Sequence, residues 1–145
     1  MEFKKVLVPY DGSPFSNKAV EAACAVVGSR GSVTILHVYN AHLVTYMAPG
    51  SPQVDVQAIE AAAKSSAERT ALKGVGEAKK LGVTAKCEVV ESASTVESIV
   101  TYAESERFDL IAMGTRGITG FKKLVLGSVS SGVVSHATCP VLVVR

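Results

Sequence analysis

The stretch FKKVLVPYDGSP (residues 3–14) contains a strand, a turn and the first residues of a helix in direct succession. Its first part is a short apolar, β-branched run of the kind that forms a buried strand. The segment YDGS predicts a turn, and Ser13 followed by Pro14 is typical of a helix N-cap and a first helical residue. A buried strand that leads into a helix is the unit from which parallel α/β sheets are built.

The rest of the chain repeats this unit. The first helix is expected to end near Gly28, and residues 40–53 predict a long connection, which is often functional in a compact domain. Further strands are predicted at 32–39, 84–90, 108–113 and 140–144, and further helices at about 55–81, from Ser94 and at about 128–137. We therefore predict a single domain over residues 1–145, of class α/β, with a five-stranded parallel sheet and helices on both faces.

Composition excludes several classes of protein. The chain has 145 residues, of which 48% are hydrophobic and 19% charged, as in a globular protein rather than a disordered one. It has no apolar run of the roughly 18 residues that a membrane span needs, and no signal-peptide core, so a cytoplasmic location without membrane contact is expected. The cysteines Cys24, Cys87 and Cys139 are widely spaced and predict neither disulfides nor a zinc site.

Charge is distributed unevenly along the chain. From Leu110 onward there is no Asp or Glu, whereas Arg116, Lys122, Lys123 and Arg145 are basic. This part of the chain suits an anion. Four basic residues without interleaved aromatic residues are too few for a nucleic-acid surface, so no nucleic-acid partner is expected.

The stretch GTRGITGFKKLVLGSV (residues 114–129) is rich in glycine and precedes a helix. Gly114 and Gly117 are placed where positive φ, or the close approach of backbone N–H groups to a ligand, is useful. Gly127 precedes Ser128, the predicted N-cap, so the helix start offers N–H donors, and the hydroxyls of Ser128 and Ser130, to phosphate or magnesium. The lysine that follows the last glycine of the usual phosphate loop is absent. A plain turn and helix cap remains the alternative.

Asp11 allows two interpretations as well. It is either a turn residue that stabilises the loop before the first helix, or a ligand to the bound molecule. His37 is expected to be a partly buried, hydrogen-bonded strand residue. No Ser-His-Asp arrangement or carboxylate pair is spaced for evident catalysis.

Four segments in this order resemble the ATP-binding branch of the universal stress protein family: VLVPYDGS, LHVY, DLIAMGTRG and GSVSSGVVSHATCPVLVVR. The resemblance covers the whole chain and includes the spacing Gly114, two residues, Gly117, nine residues, Gly127, then Ser. It implies a Rossmann-like sheet of strand order 3-2-1-4-5, with the ends of strands 1 and 4 side by side. Departures from the family pattern are Ser131 and Gly132 in place of a longer polar pair, and residues 92–94 in place of a Gly-x-Pro.

The resemblance also implies a site for ATP with magnesium. Asp11 would meet the ribose hydroxyls or a metal, Val38 the adenine through its main chain, and Met113 the ribose. Magnesium would be held by Asp11 and Ser128. The full set of residues implied in nucleotide binding is Pro9, Tyr10, Asp11, Val38, Met113, Gly114, Arg116, Gly117, Gly127, Ser128, Val129 and Ser130.

The function expected from this resemblance is that of a regulatory, stress-response module switched by nucleotide occupancy. It would form a homodimer through residues 140–144 and act on protein partners. One alternative is a slow ATPase, or an enzyme that phosphorylates itself on Ser128 or Ser130. The other is a ligand-free dimeric scaffold.

Overall fold

A computed structural model of the protein describes residues 2–42, 55–116 and 126–145. Its sheet has five strands in the order β3-β2-β1-β4-β5, and every neighbouring pair is parallel, as predicted. The strands are β1 (Phe3–Pro9), β2 (Val27–Tyr39), β3 (Ala85–Glu91), β4 (Leu110–Gly114) and β5 (Val141–Val144). The helices are α1 (Pro14–Val26), α2 (Val56–Lys80), α3 (Thr95–Ser105) and α4 (Ser128–His136).

The helices cover both faces of the sheet, because successive strand residues point to opposite sides. On one face, Val6, Val8 and Ile35 pack with alanines of α1 and α2. On the other face, Leu7 and Leu36 pack with residues of α3 and α4 such as Ile99 and Val133. Two apolar layers therefore hold the sheet between two pairs of helices.

Three helices begin with a side-chain cap. The side chains of Ser13, Asp55 and Ser94 accept hydrogen bonds from the amides of Ser16, Ala58 and Glu97 respectively. These caps lie where the sequence predicts helix starts, because an oxygen-bearing side chain satisfies an N–H group that has no partner within the helix.

The predicted boundary between α1 and β2 is wrong. The helix ends at Val26 and β2 begins at once at Val27, instead of at residue 32. Gly31 lies inside the strand, where an added Cβ would be 2.9 Å from the carbonyl oxygen of Phe3 in β1. The glycines of this segment thus accommodate an irregularity in the β1–β2 register, and they do not form the turn that their composition suggests.

The fourth strand also begins later than predicted, at Leu110 and not at residue 108. Asp109 has another role, since its carboxylate accepts hydrogen bonds from the amides of Lys4 (2.8 Å) and Lys5 (3.0 Å) at the start of β1. Phe108 is buried, with the ammonium group of Lys5 4.6 Å from its ring centroid. These contacts join β1 and β4 at the edge opposite to their carboxyl ends.

All three cysteines are free thiols, and burial raises the pKa of each of them above the ordinary value. None of the helices within the described ranges is both long enough and apolar enough to cross a bilayer.

Candidate functional site

The carboxyl ends of β1 and β4 lie side by side. Val6 pairs with Leu110 and Leu7 with Ile111, so that both strands run toward the same edge of the sheet. The chain adds β2 and β3 on one side of β1, and β4 and β5 on the other, which makes this edge the topological switch point. Open parallel sheets bind ligands at such a point. The fold thus brings the turn after β1 next to the residues that follow β4.

The turn after β1 is held by Tyr10. Its amide donates to the carbonyl of Leu36 (2.8 Å), and its own carbonyl accepts from Nδ1 of His37 (2.7 Å). Its hydroxyl donates to Oδ1 of Asn17 in α1 (2.6 Å). Burial, and then the carboxylates of Glu77 and Asp11, raise the pKa of Tyr10, so the hydroxyl stays protonated. The predicted hydrogen-bonded role of His37 is confirmed.

Asp11 takes part in the same turn. Its Oδ1 accepts a hydrogen bond of 2.9 Å from the amide of Ser13, an Asx turn, and Gly12 follows with a φ of +82°. The turn interpretation of Asp11 is therefore confirmed. Because its side chain is only partly buried at the switch point, this role is compatible with the ligand role.

Val38 lies on β2 just beyond the end of β1. The carbonyl of Leu36 faces β1, since it accepts from Tyr10, whereas the carbonyl of Tyr39 faces β3, since it accepts from Ser92. Peptide groups alternate in direction along a strand, so the polar groups of Val38 point to the side of β1, past its last residue. The main chain of Val38 thus faces the switch point.

Gly114 is required for packing. The described glycines with positive φ are Gly12 and Gly82, so the positive φ suggested for Gly114 is wrong. A Cβ on Gly114 would lie 2.7 Å from the Cβ of Phe15 and 2.9 Å from its carbonyl carbon. The absence of a side chain therefore lets the first turn of α1 rest on the end of β4.

The start of α4 lies at the same edge, next to Thr115 at the end of β4. Ser128 is not the N-cap; Gly127 is, without a side-chain cap, and its amide donates to the carbonyl of Thr115 (2.7 Å). The first hydrogen bond of the helix runs from the amide of Ser131 to the carbonyl of Gly127 (2.9 Å). The amides of residues 128–130 precede that bond and lie at the positive end of the helix dipole.

The two serines at this helix start differ in exposure. Ser128 is exposed, whereas only 2% of Ser130 is exposed. Oγ of Ser130 donates toward the carbonyls of Thr115 (2.9 Å) and Gly127 (3.1 Å). The sequence could not predict which of the two serines is buried. Residues two positions apart on a helix point in different directions, and the packing of the helix decides which of them faces the core.

Helix α4 contains a glycine, which has low helix propensity, for a structural reason. A Cβ on Gly132 would lie 2.7 Å from Cγ2 of Val96, so this glycine allows α4 to approach α3 closely. Gly132 therefore has a packing role that is independent of any ligand.

The other predicted site residues differ in their burial and in their position relative to the switch point. Pro9 ends β1 at the switch point, Val129 is half-buried in α4, and Arg116, also half-buried, follows Thr115. The side chain of Met113 is buried in the core. Gly117 lies outside the described residues. Within the described ranges, no group of three or more His, Cys, Asp or Glu side chains is arranged to hold a metal ion.

Thr115 and Asn17 belong to the site but are missed by sequence reasoning. Thr115 acts through its carbonyl, and main-chain contacts leave no signal in side-chain chemistry. Asn17 follows the turn as an ordinary helix residue, and only the folded position of Tyr10 gives it a partner.

The chain is similar to known proteins over its whole length. The model of the universal stress protein family matches residues 2–145. A universal stress protein of Thermus aquaticus is 35% identical over 144 residues, which is 99% of this chain and 99% of that protein. The solved structure of MJ0577 from Methanocaldococcus jannaschii has a TM-score of 0.80 at 28% identity, over 99% of this chain and 96% of that one. A universal stress protein solved in complex with cAMP has a TM-score of 0.66 at 25% identity, over 100% of this chain and 98% of that one.

Proposed function

The chain belongs to the universal stress protein family, and from this membership we propose that it binds an adenine nucleotide at the carboxyl ends of β1 and β4. The observation that carries the proposal is the start of α4. Three successive amides precede the first helical hydrogen bond there, beside the ends of both strands. Such amides, together with the helix dipole, favour a phosphate group.

The phosphates would lie against residues 127–130, with Ser128 as the exposed hydroxyl donor. Arg116, just beyond β4, supplies positive charge next to them, and Gly117 would complete this side as the family resemblance implies. From Leu110 to Arg145 the chain has no Asp or Glu side chain that would repel the phosphates. A bound anion therefore meets donors and positive charge at this end of the site.

The adenosine would occupy the other half of the site. The peptide groups of Val38 point past the end of β1, where they could pair with the polar edge of adenine. The turn around Asp11 would lie beside the ribose. The relative solved with cAMP supports an adenine ligand. The N–H donors at a helix start can bind phosphate chains of different length, so they do not select one adenine nucleotide over another. We propose ATP because the family resemblance implies it.

Magnesium would be held by Asp11 and Ser128 together with phosphate oxygens. A carboxylate and a hydroxyl are hard oxygen donors, which suit this ion, and Mg²⁺ is usually bound by few protein groups plus phosphates. The bound ion would neutralise part of the phosphate charge. Asp11 would keep the hydrogen bond of its Asx turn.

We further propose that nucleotide occupancy acts as a switch on a homodimer formed through β5, read by protein partners in the cytoplasm. Thr115 supports this connection, because its amide donates to the carbonyl of Val144 (2.8 Å) while its carbonyl accepts from Gly127 at the start of α4. The nucleotide site and the edge strand thus share one residue. Linkage requires that, if nucleotide strengthens the dimer, dimerisation strengthens nucleotide binding by the same factor.

Titration calorimetry with ATP, with and without magnesium, tests the binding proposal on the variant Asp11→Asn. Asparagine keeps the oxygen that accepts from Ser13, so the turn survives while the negative charge is lost. We expect a magnesium-dependent affinity that falls about tenfold or more in the variant, since hydrogen bonds to charged groups contribute about 1.5–3 kcal/mol.

The matched control is Asp55→Asn, because Asp55 also accepts a hydrogen bond from a backbone amide but caps a different helix, α2. It should bind ATP as the wild type does. Folded wild-type protein that gives no heat of binding at millimolar ATP would refute the nucleotide site. Equal ATP affinity in Asp11→Asn and wild type would remove Asp11 from it.

A further inference from the structure

We infer that Ser130 is a positioning residue for the proposed nucleotide site: its hydroxyl holds the start of α4 against the end of β4 and does not contact the phosphates. This inference deepens the proposed function and rests on it for the effect on affinity. The claim that Ser130 holds the start of α4 can be tested in the protein without nucleotide.

The single proton of the Ser130 hydroxyl is already engaged. A hydroxyl has one proton to donate, and ionised phosphate oxygens only accept hydrogen bonds. Oγ of Ser130 directs that proton toward the carbonyls of Thr115 (2.9 Å) and Gly127 (3.1 Å), which also only accept. A bond to phosphate would therefore have to break the bonds that Ser130 already makes.

Burial also distinguishes the two serines at the start of α4. Ser130 is 2% exposed, and Ser128, two residues earlier, is exposed at the helix start. A buried hydroxyl that loses its acceptor incurs the full desolvation cost, so Ser130 has reason to keep its bond to Thr115 when a ligand binds. The exposed hydroxyl of Ser128 is the one that a ligand can reach.

The hydrogen bond of Ser130 to Thr115 joins the start of α4 to the end of β4. The carbonyl of Thr115 accepts both Oγ of Ser130 and the amide of Gly127 (2.7 Å), and the amide of Thr115 is anchored to Val144 of β5 (2.8 Å). A Cβ on Gly127 would lie 3.1 Å from that same carbonyl oxygen, which shows how closely the two segments approach. Ser130 thus fixes where the first amides of α4, its own included, point relative to the sheet.

Amide hydrogen exchange of Gly127, measured by NMR in the nucleotide-free protein, tests the positioning role. In Ser130→Ala we expect exchange at Gly127 about tenfold faster, because a net hydrogen bond corresponds to about that factor. Ser130→Thr, which keeps the hydroxyl, should restore slow exchange. The matched control is Ser135→Ala, since Ser135 donates to the carbonyl of Ser131 (2.9 Å) in the same helix but is exposed.

ATP affinity, measured on the same variants and on Ser128→Ala, separates the two serines. We expect weaker binding in Ser130→Ala together with the faster exchange at Gly127, and weaker binding in Ser128→Ala with exchange unchanged. Unchanged exchange at Gly127 in Ser130→Ala would overturn the inference, as would faster exchange with undiminished ATP affinity. A wild-type protein that binds no nucleotide would refute the proposed function, while the exchange data would still decide whether Ser130 holds the start of α4.

Discussion

Thr34 in the middle of β2 is fully buried, and its Oγ1 is the buried side-chain polar atom that lacks a hydrogen-bond partner in the described part of the chain. An unsatisfied buried hydroxyl costs free energy because it has given up its bonds to water. Thr34→Val replaces the hydroxyl with a methyl group of nearly the same size. We expect this variant to raise the free energy of unfolding by about 1 kcal/mol, measured by urea denaturation.

Thr34→Ser is the control for this substitution. It keeps the hydroxyl and removes the methyl group, so it should lower the free energy of unfolding. If Thr34→Val were instead less stable than the wild type, the hydroxyl would have a partner that contributes to stability.

The long helix α2 shows how the same residue type can have opposite effects within one element. Gly74 is buried, and a Cβ there would lie 2.8 Å from Cγ2 of Ile35 and 3.2 Å from the ring of Tyr10. At Gly76 no atom lies within 4 Å of an added Cβ. Sequence reasoning assigns both glycines the same unfavourable propensity, but only Gly76 can be replaced at no cost in packing.

Two alanine substitutions in α2 therefore form a matched pair. Gly76→Ala should stabilise the protein by about 1 kcal/mol, the difference in helix propensity. Gly74→Ala should destabilise it, because overpacking a buried contact costs about 1–3 kcal/mol and outweighs the gain in propensity. Thermal unfolding of both variants checks this, and a stabilising Gly74→Ala would mean that α2 can move away from Ile35 and Tyr10.

The sequence predicts the presence and type of the helices and strands better than it predicts their boundaries. Apolar periodicity and caps such as Ser13 and Ser94 locate the helices, because both are local properties of the chain. The extension of β2 back to Val27 could not be predicted, since the glycines at 28 and 31 look like turn residues until β1 lies beside them.

At the scale of the whole molecule, β5 is the outermost strand on one side of the sheet, and the proposed dimer would form through it. The carbonyls of Pro140 and Val144 accept hydrogen bonds from Ile111 of β4 and from Thr115 just after it, so alternation turns the amide of Val143 away from β4, toward the open edge. Val143→Pro removes that outward amide and leaves the bonds to β4 in place. We expect light scattering to show a dimer for the wild type and a monomer for this variant.

Leu142→Pro is the contrasting substitution, because alternation directs its amide to β4, and it should destabilise the fold itself. A monomeric wild-type protein at micromolar concentration would refute the dimer. A dimer that persists in a folded Val143→Pro variant would place the interface elsewhere.

The amino-acid sequence by itself determined the α/β class, the parallel sheet and the side-chain caps of α1, α2 and α3, because periodicity, turn residues and capping side chains act over a few neighbouring residues. The family resemblance supplied the strand order, which the structure confirms. It also indicated the residues around Asp11, Gly114 and Gly127 as a site, and the fold brings the described ones to the same edge of the sheet.

Only the tertiary structure decided what several of these residues do. The stretch GTRGITGFKKLVLGSV suggests glycines that serve a ligand, but Gly114 makes room for Phe15 and Gly127 lies against the carbonyl of Thr115. Ser128 and Ser130 differ in role because one is exposed and the other is buried against that carbonyl. Contacts between residues distant in sequence set these roles, and such contacts exist only once β4, α1 and α4 have packed together.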